Sequence, residues 1–335
     1  MTRSALHRVR RHALFRHAPF RHALVLPAII ASHAALASCG GAFCTLLTDD
    51  FAPGAWTHTG WRGELRLEYL DQKTLRSGTH SPDPEALSQE EAIERESRST
   101  NLIGSLDYRF NPKWSVALQL PLINRAHSHD LRAEGSDSAT TPESWAYTRM
   151  GDARVLARYQ HIPSDDASTL FGLVAGFKLP TGSTSVTNAD GAAAERTLQP
   201  GTGTLDLILG ANARAVLTPS DAMFGAFTTA VATNSHDDYK PGNRVELSGG
   251  WSHAVSPSWG TALQLNYLHK GRDSGEQAEP DNSGLDTVQL SPGLTVALSD
   301  NTSAYGFVQL PLYQHVNGIQ LVQKWSLALG LSSHF

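Results

Sequence analysis

The chain is 335 residues long, 18% charged, with a formal net charge of −5, 28 glycines and two cysteines. Its basic residues are scattered beyond the first two dozen positions, which excludes a nucleic-acid surface. No stretch approaches the roughly 18 apolar residues of a membrane-spanning helix, whereas a polar average suits a membrane barrel, in which half of every strand faces a polar interior.

The chain begins with a basic region free of acids: Arg3, Arg8, Arg10, Arg11, Arg16 and Arg21. A short apolar core follows over Ala23 to Ala31, and then Ala35-Leu36-Ala37 as a small-residue cleavage site. That order reads as an export signal over residues 1–37; an Arg-rich organelle transit peptide is the alternative. Cys39 and Cys44 come directly afterwards. In an oxidising periplasm the two would close a small disulfide loop. Leu36-Ala37-Ser38-Cys39 also fits a lipoprotein cleavage pattern, which would leave Cys44 as a lone thiol. Residues 38–59 form a periplasmic extension or, with Phe51 and Trp56 as anchors, a plug folded back into a lumen.

From residue 60 to residue 335 the polarity alternates with period two. In Trp61–Tyr69 the odd positions are apolar or small, and the even ones are Arg62, Glu64, Arg66 and Glu68. Four charges on one strand face cannot look at lipid. Leu102, Leu106, Tyr108 and Phe110 repeat the pattern against Asn101, Ser105, Asp107 and Arg109. Trp114, Val116, Leu118, Leu120 and Leu122 resume it after the turn Asn111-Pro112-Lys113. Further strands are predicted near 152–162, 169–180, 203–217, 222–233, 243–255, 259–270, 286–298 and 303–314. The last strand, Trp325 to Phe335, alternates strictly and ends on an aromatic residue.

The connections sort by length. Short turns (Asn111-Pro112, Pro163 to Asp165, Thr218 to Asp221, Ser256 to Ser258, Ser299 to Asn301) alternate with longer segments at 71–98, 124–147, 181–201, 234–242, 271–284 and the brief 315–319. This is the asymmetry of an all-β transmembrane antiparallel up-and-down barrel of about 12 strands, with short periplasmic turns, long outer loops and both termini periplasmic. Gln119-Leu120-Pro121, Lys178-Leu179-Pro180 and Gln309-Leu310-Pro311 recur, with Gln264-Leu265-Asn266 as a variant. Proline there marks a bend at a rim or bulge, or else a kinked wall that opens a passage.

Parity turns Arg62, Glu64, Arg66, Glu68, Asp107, Arg109, Arg154, Arg158, Lys178, Asp206, Arg214, Arg244, Glu246 and Lys270 inward as lumen-lining candidates. Both signs are present, so the lumen is either a selective aqueous path or one tied shut by ion pairs. Residues 88–97 read as a short charged helix capping the mouth. His127, His129 and Asp130, and His236, Asp237 and Asp238, are polar loop clusters that lack ligand spacing on a rigid element, so no metal and no cofactor is expected. Catalysis is not expected either. Ser252 and His253 are strand neighbours that point to opposite faces, and Asn234-Ser235-His236 offers no group to orient the histidine.

Phe335 at the end of its alternating strand resembles the closing strand of bacterial outer-membrane barrels, where a terminal Phe is the usual assembly signal. With the Leu-Pro repeats and Gln199-Pro-Gly-Thr-Gly203, residues 60–335 resemble a Gram-negative outer-membrane barrel transporter family of the meta-pathway of phenol degradation type. The resemblance implies passive passage of a small solute, aromatic or hydrophobic, in the outer membrane. It also implies outer-membrane lipid, lipopolysaccharide and the barrel-assembly machinery as partners. The competing readings are a non-conducting barrel acting through its outer loops and a lipid-modifying enzyme.

Overall fold

The computed structural model describes Leu46 and residues 59–89, 92–132, 140–163 and 168–335. Cys39, Cys44, Phe51 and Trp56 lie outside the described residues, as does the export signal.

The strands are β1 (Gly60–Gly78), β2 (Ala92–Asn111), β3 (Trp114–Arg132), β4 (Thr140–Met150), β5 (Arg154–His161), β6 (Thr169–Lys178), β7 (Asp206–Val216), β8 (Asp221–Ala232), β9 (Arg244–Ala254), β10 (Trp259–Lys270), β11 (Leu285–Ala297) and β12 (Thr302–His334). Each pairs with its neighbours in order except that β5 pairs with β3 rather than β4; β12 pairs back to β1, and a β2–β3 ladder closes the ring, leaving β4 outside it on the edge of β3. All the pairings are antiparallel.

A ring of purely antiparallel neighbours needs an even number of crossings. Eleven ring elements meet that condition because β12 doubles back on itself. Its first arm, Ser303 to Val316, pairs with β11, and its second, ending at His334, pairs with β1. Ser326 Oγ donates to Gln309 Oε1 at 3.0 Å and Gln314 Nε2 to the Gln323 carbonyl at 3.1 Å, so the two arms face each other. The reversal falls at Asn317-Gly318, where Gly318 adopts φ +58, a conformation open to glycine. Ten elements crossing once and one crossing twice make twelve crossings among the described residues.

The alternation sets which face is which. Trp61, Leu65, Leu67, Leu102, Leu106, Leu263 and Leu265 are exposed on the outside, while Arg62, Glu64, Arg66, Glu68, Asp107 and Gln264 are buried on the inside. A soluble protein would invert this; in lipid it is the favourable arrangement. Aromatic side chains rim the short-turn end: Trp61 packs tilted against Tyr108 at 4.7 Å, Tyr108 edge-on to Phe110 at 5.0 Å and Trp114 tilted against Tyr159 at 5.0 Å. Such rings suit the membrane–water boundary.

Four of the five short turns share one device; the fifth, from Pro163 to Asp165, lies outside the described residues after Pro163. A side-chain oxygen at the first position accepts two backbone N–H groups: Asn111 Oδ1 from Lys113 and Trp114, Thr218 Oγ1 from Ser220 and Asp221, Ser256 Oγ from Ser258 and Trp259, and Ser299 Oγ from Asn301 and Thr302. This side-chain mimic of a turn is why Asn, Ser and Thr stand there. The chain end lies at the same rim, with Trp61 N donating to the Phe335 carbonyl at 3.0 Å and His334 N to that of Asn301 at 2.9 Å.

Two expectations are corrected at the opposite end. The helix expected over 88–97 is instead α1 (Pro84–Gln89), and Glu94 to Ser97 belong to β2, in register with His129 to His127. The segments 71–98 and 124–147 are largely strand, because β1 runs to Gly78, β2 starts at Ala92, β3 runs to Arg132 and β4 starts at Thr140. An apolar outer face is needed only where lipid touches the wall. The backbone ladder continues past the lipid wherever a neighbouring strand can satisfy it.

The recurrent prolines sit at breaks in that ladder. β3 pairs with β4 from Leu122 to Arg132 and with β5 from Trp114 to Gln119. Pro121 lies in the gap, its carbonyl accepting Gly151 N at 2.8 Å; lacking an N–H, it cannot complete the pair. Pro311 adjoins the register shift between Val288 and Gln289, and Pro180 follows the end of β6.

Candidate functional site

Alternation along twelve crossings builds a polar interior. Of the fourteen inward candidates, Arg62, Glu64, Arg66, Glu68, Asp107, Arg109, Arg154, Arg158, Lys178, Asp206, Arg214, Glu246 and Lys270 are buried. Arg244 is nearly so, its side chain 11% exposed.

They fall into groups. On β1, Arg62 Nη2 lies 2.8 Å from Glu64, and Arg66 lies 3.9 Å from Glu64 and 3.0 Å from Glu68. A single strand thus carries a charge ladder, because residues two apart share a face. Arg62 also reaches Ser332 at 3.1 Å, and the Tyr305 hydroxyl donates to Glu64 at 2.5 Å. Arg158 on β5 pairs with Asp107 on β2, over the intervening β3. Arg109 turns to the Pro112 carbonyl at 3.0 Å, toward the short-turn rim. Arg244 and Glu246 pair at 2.9 Å on β9. Mid-wall, Gln119, Gln264, Gln289 and Gln309 are fully buried, with Asn266 donating to Ser291 at 2.8 Å.

Lys178, Asp152 and Asp206 form a junction that sequence reasoning only half anticipates. Lys178 Nζ lies 2.9 Å from Asp206 and 3.3 Å from Asp152. Asp152 accepts from the backbone N–H of Gly182 and of Thr202, both at 2.9 Å, and from the Thr202 hydroxyl at 3.0 Å. It thereby pins both ends of the segment joining β6 to β7 to the β4–β5 break. Gly182 and Gly201 meet there so closely that a Cβ on Gly201 would stand 2.4 Å from the Gly182 carbonyl oxygen. Asp152 shares the even, inward parity of Arg154 and Arg158 in the strand predicted near 152–162 but is not among the lumen-lining candidates; the structure places it buried in the break just before β5.

Apolar patches interrupt the polar lining, among them Ala117, Leu156, Val174, Ile208 and Ala230 and, separately, Leu268, Leu285, Val316 and Val322. Leu70, Phe224, Ala262, Tyr305, Phe307 and Ala328 are inward and buried, and Leu46 packs among them at 1% exposure. A residue ahead of the first strand therefore lies inside the barrel.

At the mouth opposite the short turns, a cavity of about 520 Å³ is bordered by Glu94, His127, His129, Glu195, Glu279 and Lys270. Lys270 pairs with Asp273 at 3.0 Å. Burial, and then the Glu279 carboxylate, push Glu195 up to about 8. His127 and His129 are on rigid β3 and face inward, not on a loop as the sequence suggests. Asp130 points away from them, bonded to Arg95 at 2.5 and 2.7 Å. His236 stays in the β8–β9 loop, 3.1 Å from Asp237; Asp238 follows at φ +51. Deeper in, the space among Arg109, Ser115, Arg158 and Asn212 is about 10 Å³, room for about one water.

The serine–histidine neighbours diverge as the alternation requires. Ser252 turns inward to the Ala222 carbonyl at 3.5 Å, while His253 bonds Asp221 at 2.9 Å.

In sequence, the family described as "Putative MetA-pathway of phenol degradation" matches residues 71–314. No curated protein matches the chain. Among solved structures, the fold is similar to an outer-membrane channel from Pseudomonas putida F1, at 14% identity and TM-score 0.59 over 84% of this chain and 99% of that one. More distant are the CymD monoaromatic hydrocarbon channel (11% identity, TM-score 0.43, 83% and 89% covered) and the Ralstonia pickettii toluene transporter TbuX (8%, 0.42, 83% and 90%).

Proposed function

The chain belongs to the family described as "Putative MetA-pathway of phenol degradation", and on that premise we propose that it is an outer-membrane channel for passive passage of a small solute. The observation that carries this reading is the mixed-charge, amide-rich inner face of a closed wall whose outer face is apolar. A barrel serving only as scaffold gains nothing from charge inside it. Well-packed apolar residues there would be as stable or more so. Charges of both signs along a lumen are useful where water and solute must move past them.

The patch of Leu70, Phe224, Tyr305 and Phe307 supports a solute with an aromatic or hydrophobic body, since it gives an apolar group a resting place between charged rings. The short-turn rim, with both Gly60 and Phe335, is assigned to the periplasm, because barrels of this type keep their short turns there. Arg62 to Glu68, Asp107, Arg109, Arg154, Arg158, Lys178, Asp206, Arg214, Arg244, Glu246 and Lys270 would then line the path.

A second reading has its own observation: Leu46 already fills the apolar patch. In this reading residues 38–59 plug the lumen and their release is the regulated step. Single-channel conductance in planar bilayers, with and without residues 39–59, separates the two. Steady conductance of the intact protein supports the open channel. Conductance only after truncation supports the plug. Silence in both forms refutes passage and leaves the outer loops as the working surface.

A further inference from the structure

The mouth cavity holds a cluster that the channel reading does not use. Ligand atoms of Glu94, His127 and His129 all lie within 4.8 Å of one another. From this geometry we propose that the outer mouth carries a binding site for one divalent transition-metal ion of the zinc class, held by Glu94, His127 and His129.

His127 and His129 sit two apart on β3 and so point the same way, their rings 5.6 Å apart. Both are buried. Parity alone would turn Glu94 outward, since the inward residues of β2 are odd-numbered: Ser97, Ser99 and Asn101 are buried. A bulge reverses it. Glu94 is in register with His129, and Glu96 with Ser128, so Arg95 is the extra residue. A bulge of this kind re-aims a side chain, and here it brings a carboxylate to within 3.2 Å of His127 Nε2. Two ligands each about 2.0–2.1 Å from a tetrahedral zinc ion stand about 3.3 Å apart, so this edge needs almost no adjustment.

The second observation is what the imidazoles lack. Nδ1 and Nε2 of His127 and Nδ1 of His129 are buried without a hydrogen-bond partner. A buried nitrogen left unsatisfied is destabilising. An ion would use the lone pair of one nitrogen in each ring. Outer carboxylates are also in place, with Glu143 3.4 Å from His129 Nε2 and Glu195 3.7 Å from its Nδ1. Whichever nitrogen takes the ion, the other faces an acid, the arrangement that orients a metal-bound histidine. Trp145, paired with His127 across the β3–β4 ladder, closes one side with its ring 4.9 Å from that of His129. Nitrogen-rich donors on stiff strands favour zinc, cobalt, nickel or copper over calcium and magnesium, which prefer oxygen.

The test is a cobalt(II) titration of the full, untagged protein purified from outer membranes in detergent, followed by its visible absorption and by zinc competition. The expected result is one equivalent taken up with an intense tetrahedral-type spectrum that zinc abolishes. The spectrum should be lost in H127A and in H129A, and cobalt affinity should fall at least tenfold in E94Q. H236A should bind as the parent does. Heat-modifiable gel mobility reports that each variant is a folded barrel, and H127Q and H129Q replace any alanine variant that is not. The site is refuted if the folded parent takes up no cobalt, or if H127A/H129A gives the same stoichiometry and spectrum. Because the readout is metal uptake, the result stands whether or not the barrel conducts.

Discussion

If the lumen conducts, its charge balance sets which ions it prefers, and the structure allows the preference to be worked out. The fourteen inward residues named above comprise nine cations and five carboxylates. Adding buried Arg125, Asp152 and Asp273 gives ten against seven, an excess of three positive charges. At roughly 7 Å in water, one unit charge contributes about 0.6 kcal/mol, close to RT and so nearly threefold in ion partition. Three such charges, partly screened at 0.1 M salt where the Debye length is about 10 Å, give an anion preference of several-fold. The triple variant R109Q/R154Q/R214Q brings the excess to zero. In planar bilayers across a tenfold KCl gradient, the parent should reverse at a potential of anion-selective sign and the triple variant near zero. At 1 M salt, where screening acts over about 3 Å, the difference should shrink. An unchanged reversal potential in a triple variant with parental conductance would refute the inference that these side chains line the ion path.

Asp152 offers a stability test of the junction. D152A removes the acceptor for Gly182 and Thr202 and one partner of buried Lys178, a loss of about 3 kcal/mol or more by analogy with other broken buried pairs. Urea unfolding of the refolded barrel should show the lower midpoint, and limited proteolysis should cut first between residues 181 and 205. On the outer face, Leu265 is half exposed in the middle of β10. L265R should cost about 2–4 kcal/mol in lipid and much less in detergent solution, as compared by folding titrations in the two media; equal costs would place that face away from the bilayer.

The barrel itself was largely legible from residues 60–335, for a local reason. A strand's period of two is written in every residue, and the turn oxygens of Asn111, Thr218, Ser256 and Ser299 act within three residues of themselves. The inward placement of Arg62, Glu64, Arg66 and Glu68 follows from the same short-range rule. Parity stopped being readable where it broke. The extra residue Arg95 reversed the facing of Glu94, and charge density suggested a helix at positions that the neighbouring strand holds in a ladder. Parity groups Asp152 with Arg154 and Arg158, but it says nothing of its partners, which come from residues thirty and fifty positions further on.

What the sequence determined alone is therefore the class, the sidedness of the wall and the position of its short turns, because each depends on neighbours along the chain. Tertiary structure decided the rest. Closure of β2 on β3 and the doubling of β12 made the ring even. The meeting of Glu94 with His127 and His129, the pinning of the β6–β7 segment by Asp152, and the seating of Leu46 among Leu70, Phe224 and Phe307 are contacts between residues far apart in the chain. Their energies depend on which strands become neighbours, and no local period records that.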